Sequence, residues 1–227
     1  MAVIGLSMPI CSDYSFDPES KKVTYSNPVT VGKAVQFNAS ITNSENQYLY
    51  ADNGIAETAK GSFQSGELTL GTDRLSQEAS QKFLGVRVRK INVPGISEPV
   101  TELVSTDGDT PPTLGHGIIE MLQEDDEIKY RAIWLTKVSF NIPEESATTK
   151  GETVEFQTPS ITGTIMRSDE ADENGRHPWK YEATFTKESD ALTYLKAHGG
   201  SGEITEVDEE SLFVKAANSE SDNKETE

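Results

Sequence analysis

Apolar and polar residues alternate with a period of two along much of the chain. Val35, Phe37, Ala39 and Ile41 alternate with Gln36, Asn38, Ser40 and Thr42, a pattern that predicts a β-strand with one buried face. Leu68 and Leu70 around Thr69, and Val86 and Val88 around Arg87, predict two shorter strands of the same kind. Between residues 128 and 142 the pattern changes. Tyr130, Ala132, Trp134, Val138 and Phe140 share one parity while Ile133 and Leu135 take the other, so both faces are expected to be covered, as in the central strand of a sandwich. Residues 154–156 and 161–165 are its candidate neighbours. Trp179, Tyr181, Ala183 and Phe185, alternating with Lys180, Glu182 and Thr184, predict a last strand. A mainly β, antiparallel fold follows.

Two short helices are expected to flank it. Asp73 can cap a helix whose apolar positions Leu75, Ala79 and Phe83 recur every fourth residue, with Gly85 as the stop. A second begins near Thr186, places Glu188 and Asp190 where the helix dipole favours acids, and ends at Gly199-Gly200. Leu192 and Leu195 form its apolar stripe.

Composition divides the chain into a β domain over residues 1–200 and an acidic extension over 201–227, the end of which is too polar to order alone. Leu212-Phe213-Val214 is the exception there, an apolar triplet able to dock on the domain. Loops are expected at 43–46, 105–112 and 167–178. The 38 acidic against 20 basic residues give a formal charge of −18, which excludes a surface built to grip phosphate backbones. One cysteine, Cys11, excludes an intrachain disulfide framework and fits a reducing compartment. The N-terminus lacks the basic region of a signal peptide, and no apolar run reaches the roughly 20 residues that span a bilayer. A soluble protein with no membrane partner is the expectation.

Catalytic constellations are not found. His116, His177 and His198 are far apart and match no metal-ligand spacing. His198 reads as the cationic end of a helix, and the other two as loop residues. The acidic run 169–175 lacks the alternate-position spacing of a calcium loop and reads as a solvated turn ending in Asn174-Gly175. Asp107-Gly108-Asp109 reads as another turn. Gly115-His116-Gly117 lacks the further glycine and the setting of a dinucleotide site, and Cys11, with no histidine nearby in sequence, reads as an inert thiol. No catalytic, metal or cofactor-binding residue is assigned, and the chain is expected not to be an enzyme. Tyr48-Leu49-Tyr50, followed by Asp52-Asn53-Gly54, is the unusual feature. These residues are either core or, because tyrosine joins an apolar body to a polar tip, a subunit interface.

Several stretches form an ordered series: Ile4-Gly5-Leu6 at the start, then Leu49-Tyr50-Ala51-Asp52-Asn53-Gly54 with Ala56-Glu57, and Gly66-Glu67-Leu68-Thr69-Leu70-Gly71 before the first helix. Tyr130-Arg131-Ala132-Ile133-Trp134, Glu155-Phe156-Gln157-Thr158-Pro159 and Ile161-Thr162-Gly163-Thr164-Ile165 continue it. In this order they resemble the major tail proteins of siphophages that infect Gram-positive bacteria. The resemblance implies a tail-tube β-sandwich or barrel that self-assembles into stacked, six-membered rings. It further implies a negatively charged lumen through which DNA passes without specific binding. Tape measure, tail-completion and baseplate proteins are the implied partners; the implied locations are the virion tail and, during assembly, the host cytoplasm. Tyr48, Leu49, Tyr50, Asp52 and Asn53 are then the interface candidates. The competing expectation is a monomeric β-sandwich that binds a cell-surface carbohydrate or protein, which requires exposed aromatic side chains as a platform.

Overall fold

The computed structural model describes residues 2–75, 77–143, 149 and 158–205. Twelve strands and two short α-helices, the second continued by a π-helical turn (Ala197–Ser201), occur among them: β1 (Ala2–Asp17), β2 (Lys22–Thr30), β3 (Ala34–Asn43), β4 (Gln47–Ala51), β5 (Gly54–Ala59), β6 (Phe63–Thr72), α1 (Gln77–Leu84), β7 (Arg87–Ile91), β8 (Val100–Val104), β9 (Thr113–Glu124), β10 (Glu127–Phe140), β11 (Ser160–Met166), β12 (Lys180–Phe185) and α2 (Glu188–Lys196). The fold is mainly β with short flanking helices, as the alternation predicts. Residues 154–156 and the 212–214 triplet lie outside the described residues.

One antiparallel sheet runs in the order β2-β1-β9-β10-β11-β6-β3, with β12 also paired to β10. This sheet wraps around its own core. Phe37 on β3 and His116 on β9 are four strand steps apart along that order, about 19 Å if the sheet were flat. Their ring centroids are 6.4 Å apart. The enclosed core gathers Leu68, Leu70, Leu114, Ile118, Ile133, Leu135, Val138, Phe140, Ile161 and Ile165, all buried. Helix α1 closes it, with Phe83 against Phe140 at 4.3 Å between ring centroids.

Strand β10 serves two layers because it changes parity. Ala132 and Trp134 face outward to a second cluster with Ile10, Ile119 and the α2 residues Ala191 and Leu195. Ile133 and Leu135 face the enclosed core. Its register against β9 then shifts between Leu135 and Val138, and a β-bulge of this kind turns the following side chains over. Val138 and Phe140 therefore join Ile133 and Leu135 inside, although by simple alternation they belong with Trp134. Past the bulge β10 also changes partner on that edge, from β12 (Tyr130 to Leu135) to β11 (Lys137 to Phe140).

Other expectations are corrected. A similar register shift between Ala34 and Gln36 turns Val35 to solvent, while Phe37, Ala39 and Ile41 keep the inner face. Helix α1 opens at Gln77, not beside Asp73. The Asp73 carboxylate instead accepts the Lys33 backbone N–H at 2.7 Å, and Lys33 O accepts the Asp73 N–H at 2.9 Å. This clasp fixes the entry to β3 and holds the Asp73 carboxyl below its usual range. Helix α2 starts at Glu188 and buries Ala191 with Leu195, leaving Leu192 half-buried. His116 is a fully buried strand residue, not a loop residue.

Candidate assembly surface

Besides the outer sides of β2, of β12 and of the two separate hairpins, two stretches of sheet edge have no strand partner among the described residues. β1 pairs with β9 from Ala2, but β2 joins its other side only from Ile10, so the edge of residues 2–8 has no hydrogen-bonded strand partner, although β1 and β3 approach each other within the chain. β3 pairs with β6 alone. Open edges are templates for further pairing, and proteins that stay solitary blunt them with charge, proline or bulges. β2 is blunted in this way by Lys22, by Pro28 and by Asn27 at a φ of 51°, and β12 carries Lys180 and Glu182. β1, with Met8 and Pro9 and two register shifts, and β3, also with two shifts, are irregular as well, and what sets them apart is charge. Residues 2–12 and 34–44 carry no charge at all, in a chain that is 26% charged. Val3 and Ile4 on the first edge and Val35 on the second are about half exposed.

Beside β3 stands the hairpin β4–β5. Asp52 and Asn53 both take positive φ, 49° and 65°, the conformation of a two-residue turn matched to strand twist. At its neck Ser44 N–H donates to Ser62 O at 2.8 Å, Ser62 N–H to Ser44 Oγ at 3.0 Å, and Gly61 N–H to Asn46 Oδ1 at 2.8 Å. A Cβ on Gly61 would lie 1.7 Å from Ser44 O, so only glycine permits this close approach. Beyond the neck every residue of β4 and β5 is exposed. Tyr48, Leu49 and Tyr50 expose 48%, 60% and 67% of their surfaces, which removes the reading of these residues as core. The two tyrosines sit on one face with ring centroids 6.5 Å apart, and Leu49 points to the other, so apolar surface is open on both sides. A lone two-stranded hairpin is marginal in water. This one needs a cover.

Potential chemistry lies elsewhere and is sealed. Register pairs Cys11 with His116, 105 positions away, and Sγ lies 3.1 Å from Nδ1. Both side chains are fully buried. Burial pushes the Cys11 thiol well above its usual value, against a weaker pull from Lys82, and lowers His116 to about 4. A protonated thiol without access to solvent is a poor nucleophile. His198 is likewise not cationic: burial lowers it to about 4 among Trp134, Tyr181 and Tyr194. Arg131 pairs with Glu120 at the mouth of the core.

The acidic loop 167–178 is only partly a free turn. Asp172 accepts the backbone N–H groups of Asn174 and Arg176, and Gly175 takes a φ of 71°, as expected for a tip. Asp169, however, binds Lys137 at 2.6 Å and Tyr14 Oη at 2.8 Å, and Glu170 binds Lys22 and the Val23 N–H. These contacts dock the loop on β1, β2 and β10. They border a groove of about 500 Å³ lined in part by Tyr25, Glu170, Asp172 and Tyr181. Among the described residues no cluster of three or more His, Cys, Asp or Glu side chains is placed to hold a metal ion. No helix among them is long and apolar enough to cross a membrane.

An aromatic platform on tryptophan is not present: Trp134 is fully buried, and Trp179 lies flat on Phe63 at 4.9 Å between ring centroids. Of the predicted interface residues, the structure places all five on one projecting hairpin. The open edges of β1 and β3 were not singled out from the sequence, although the absence of charge over 2–12 and 34–44 is visible there. No protein-family model matches the chain, and no curated protein matches its sequence.

Proposed function

We propose that the chain is a structural, non-enzymatic subunit that polymerises with its own copies into a hollow tube, the role implied by its resemblance to siphophage major tail proteins. The observation that carries this reading is the pair of uncharged, unpartnered strand edges on β1 and β3. Pairing them between copies would complete the backbone hydrogen bonds that each subunit leaves open. The β4–β5 hairpin supplies a second contact, through Tyr48, Leu49 and Tyr50, toward a further copy in the same or the next ring.

The charge fits a conduit. Six copies in a ring carry six times −18, or −108, before counterions. A wall of that sign repels DNA over the screening distance of about 8 Å at physiological salt, so a genome would slide past without adhering. Tape measure, tail-completion and baseplate proteins are the partners this role requires, and the virion tail is its place.

Negative-stain microscopy and sedimentation of the purified chain test the proposal. Tubes or rings are expected for the wild type. Leu49→Lys with Tyr50→Lys should abolish them while changing folding stability by less than about 0.5 kcal/mol, the usual range at exposed positions. Tubes of normal length from the double variant would remove the hairpin from the interface. A wild type that sediments as a monomer at every salt and protein concentration would overturn the assembly role itself.

A further inference from the structure

The β7–β8 hairpin is the second element that stands apart from the main sheet. Arg87 pairs with Val104, Arg89 with Glu102 and Ile91 with Val100 across it. Three cations, Arg87, Arg89 and Lys90, fall within four residues and all are exposed. No acidic residue occurs between Glu78 and Glu98, although the chain carries 38 in 227 residues. Arg89 reaches Glu102 at 2.5 Å. Arg87 and Lys90 have no ion-pair partner among the described residues. The hairpin also holds half-buried Val88, Ile91, Leu103 and Val104, with Ile96 at its tip 54% exposed. It offers positive charge, apolar side chains and two strand edges together.

Residues 206–227 have the complementary chemistry. They contain eight acids against Lys215 and Lys224, and four of those acids, Glu206, Asp208, Glu209 and Glu210, immediately precede Leu212-Phe213-Val214. The described chain ends at Thr205 with Ile204 exposed. Twenty-two further residues extend to about 70 Å at most, enough to reach any face of a domain this size. A short acidic run followed by three strand-favouring apolar residues is suited to an edge that is basic and apolar.

We propose that the β7–β8 hairpin seats the C-terminal segment of its own chain, residues 206–227. The acids at 206–210 lie against Arg87, Arg89 and Lys90, and Leu212-Phe213-Val214 adds a short strand over the hairpin's apolar side chains. Tethering makes the contact intramolecular, so its effective concentration is high even where each individual ion pair is weak. The segment thereby covers a hairpin that is otherwise marginal. The inference does not depend on tube formation, and its test uses the full chain at concentrations where it sediments as a monomer.

Zero-length carbodiimide cross-linking joins lysine amines to carboxylates in direct contact. Peptide mapping of the treated full chain should find Lys90 as the main lysine outside the segment coupled to residues 206–210. Arg87→Glu should lower that coupling about fivefold, as loss of roughly one ion pair does, and should speed amide hydrogen exchange in residues 206–216. Phe213→Ser, which leaves the hairpin unchanged, should lower the coupling as well. Coupling spread over Lys21, Lys33 and Lys60 as readily as Lys90, or a yield indifferent to both substitutions, would overturn the proposal.

Discussion

Trp134→Ala is expected to destabilise the folded chain by about 3–5 kcal/mol, the range for emptying a large aromatic site. It is the largest fully buried side chain, and it is held on several sides. Tyr25 meets its ring edge-on at 5.2 Å, and His198 stacks at 6.0 Å. Beneath it β9 provides Gly115 and Gly117, where an added Cβ would lie 2.4 Å and 2.9 Å from atoms of the indole. The two glycines make the floor on which the indole rests. Gly115→Ala should therefore destabilise too, by overpacking, at about 1–3 kcal/mol. Urea unfolding followed by circular dichroism measures both. A Trp134→Ala midpoint within error of the wild type would show that the α2 layer contributes little to the fold.

Acid should unfold the chain well before its carboxylates are fully titrated. His116 is buried neutral and lowered to about 4 in the folded state, against about 6.5 when unfolded. Between those values the unfolded chain binds a proton that the folded one refuses, so stability is fully present above pH 6.5 and falls as pH drops towards 4. The loss for this group is about 3 kcal/mol across that window. His198, lowered by burial to about 4, acts in the same direction. Denaturant midpoints measured from pH 7 to pH 4 should fall steadily, and His116→Gln should flatten the slope. An unchanged slope in that variant would mean that His116 becomes protonated without unfolding.

The parts of the fold legible in the sequence were those where one face is wet. β3, β6 and β12 announce themselves by alternation because one side meets water and the other meets the core. β9 does not: Leu114 through Glu120 are all buried, and a strand covered on both sides has no reason to alternate. Its His116, between Gly115 and Gly117, reads as a loop residue in sequence, yet the glycines answer to an indole on another strand. β1 was hidden for a related reason, since Met8 at a φ of 50° and Pro9 interrupt it locally while pairing with β9 carries it through. The Cys11–His116 contact joins residues 105 apart, a relation created by register alone. For the assembly surface, the Tyr48-Leu49-Tyr50 pattern showed an apolar cluster beside a tight turn but left core and interface equal. Only the neck at Ser44, Asn46 and Gly61, which holds the hairpin away from the body, separates them.

The bulge in β10 bears on how this chain tolerates changes of length. Upstream of it the strand is tied to β9 and β12, downstream to β9 and β11, and the two halves present opposite parities to the same core. One added residue on either side would turn a half-strand inside out, and no slide of the whole strand restores both. A library of single-codon insertions should therefore be empty of folded members across residues 130–140. Members should be recovered more freely at the loop tips 92–99 and 172–175, where extra chain disturbs turn hydrogen bonds but no strand pairing.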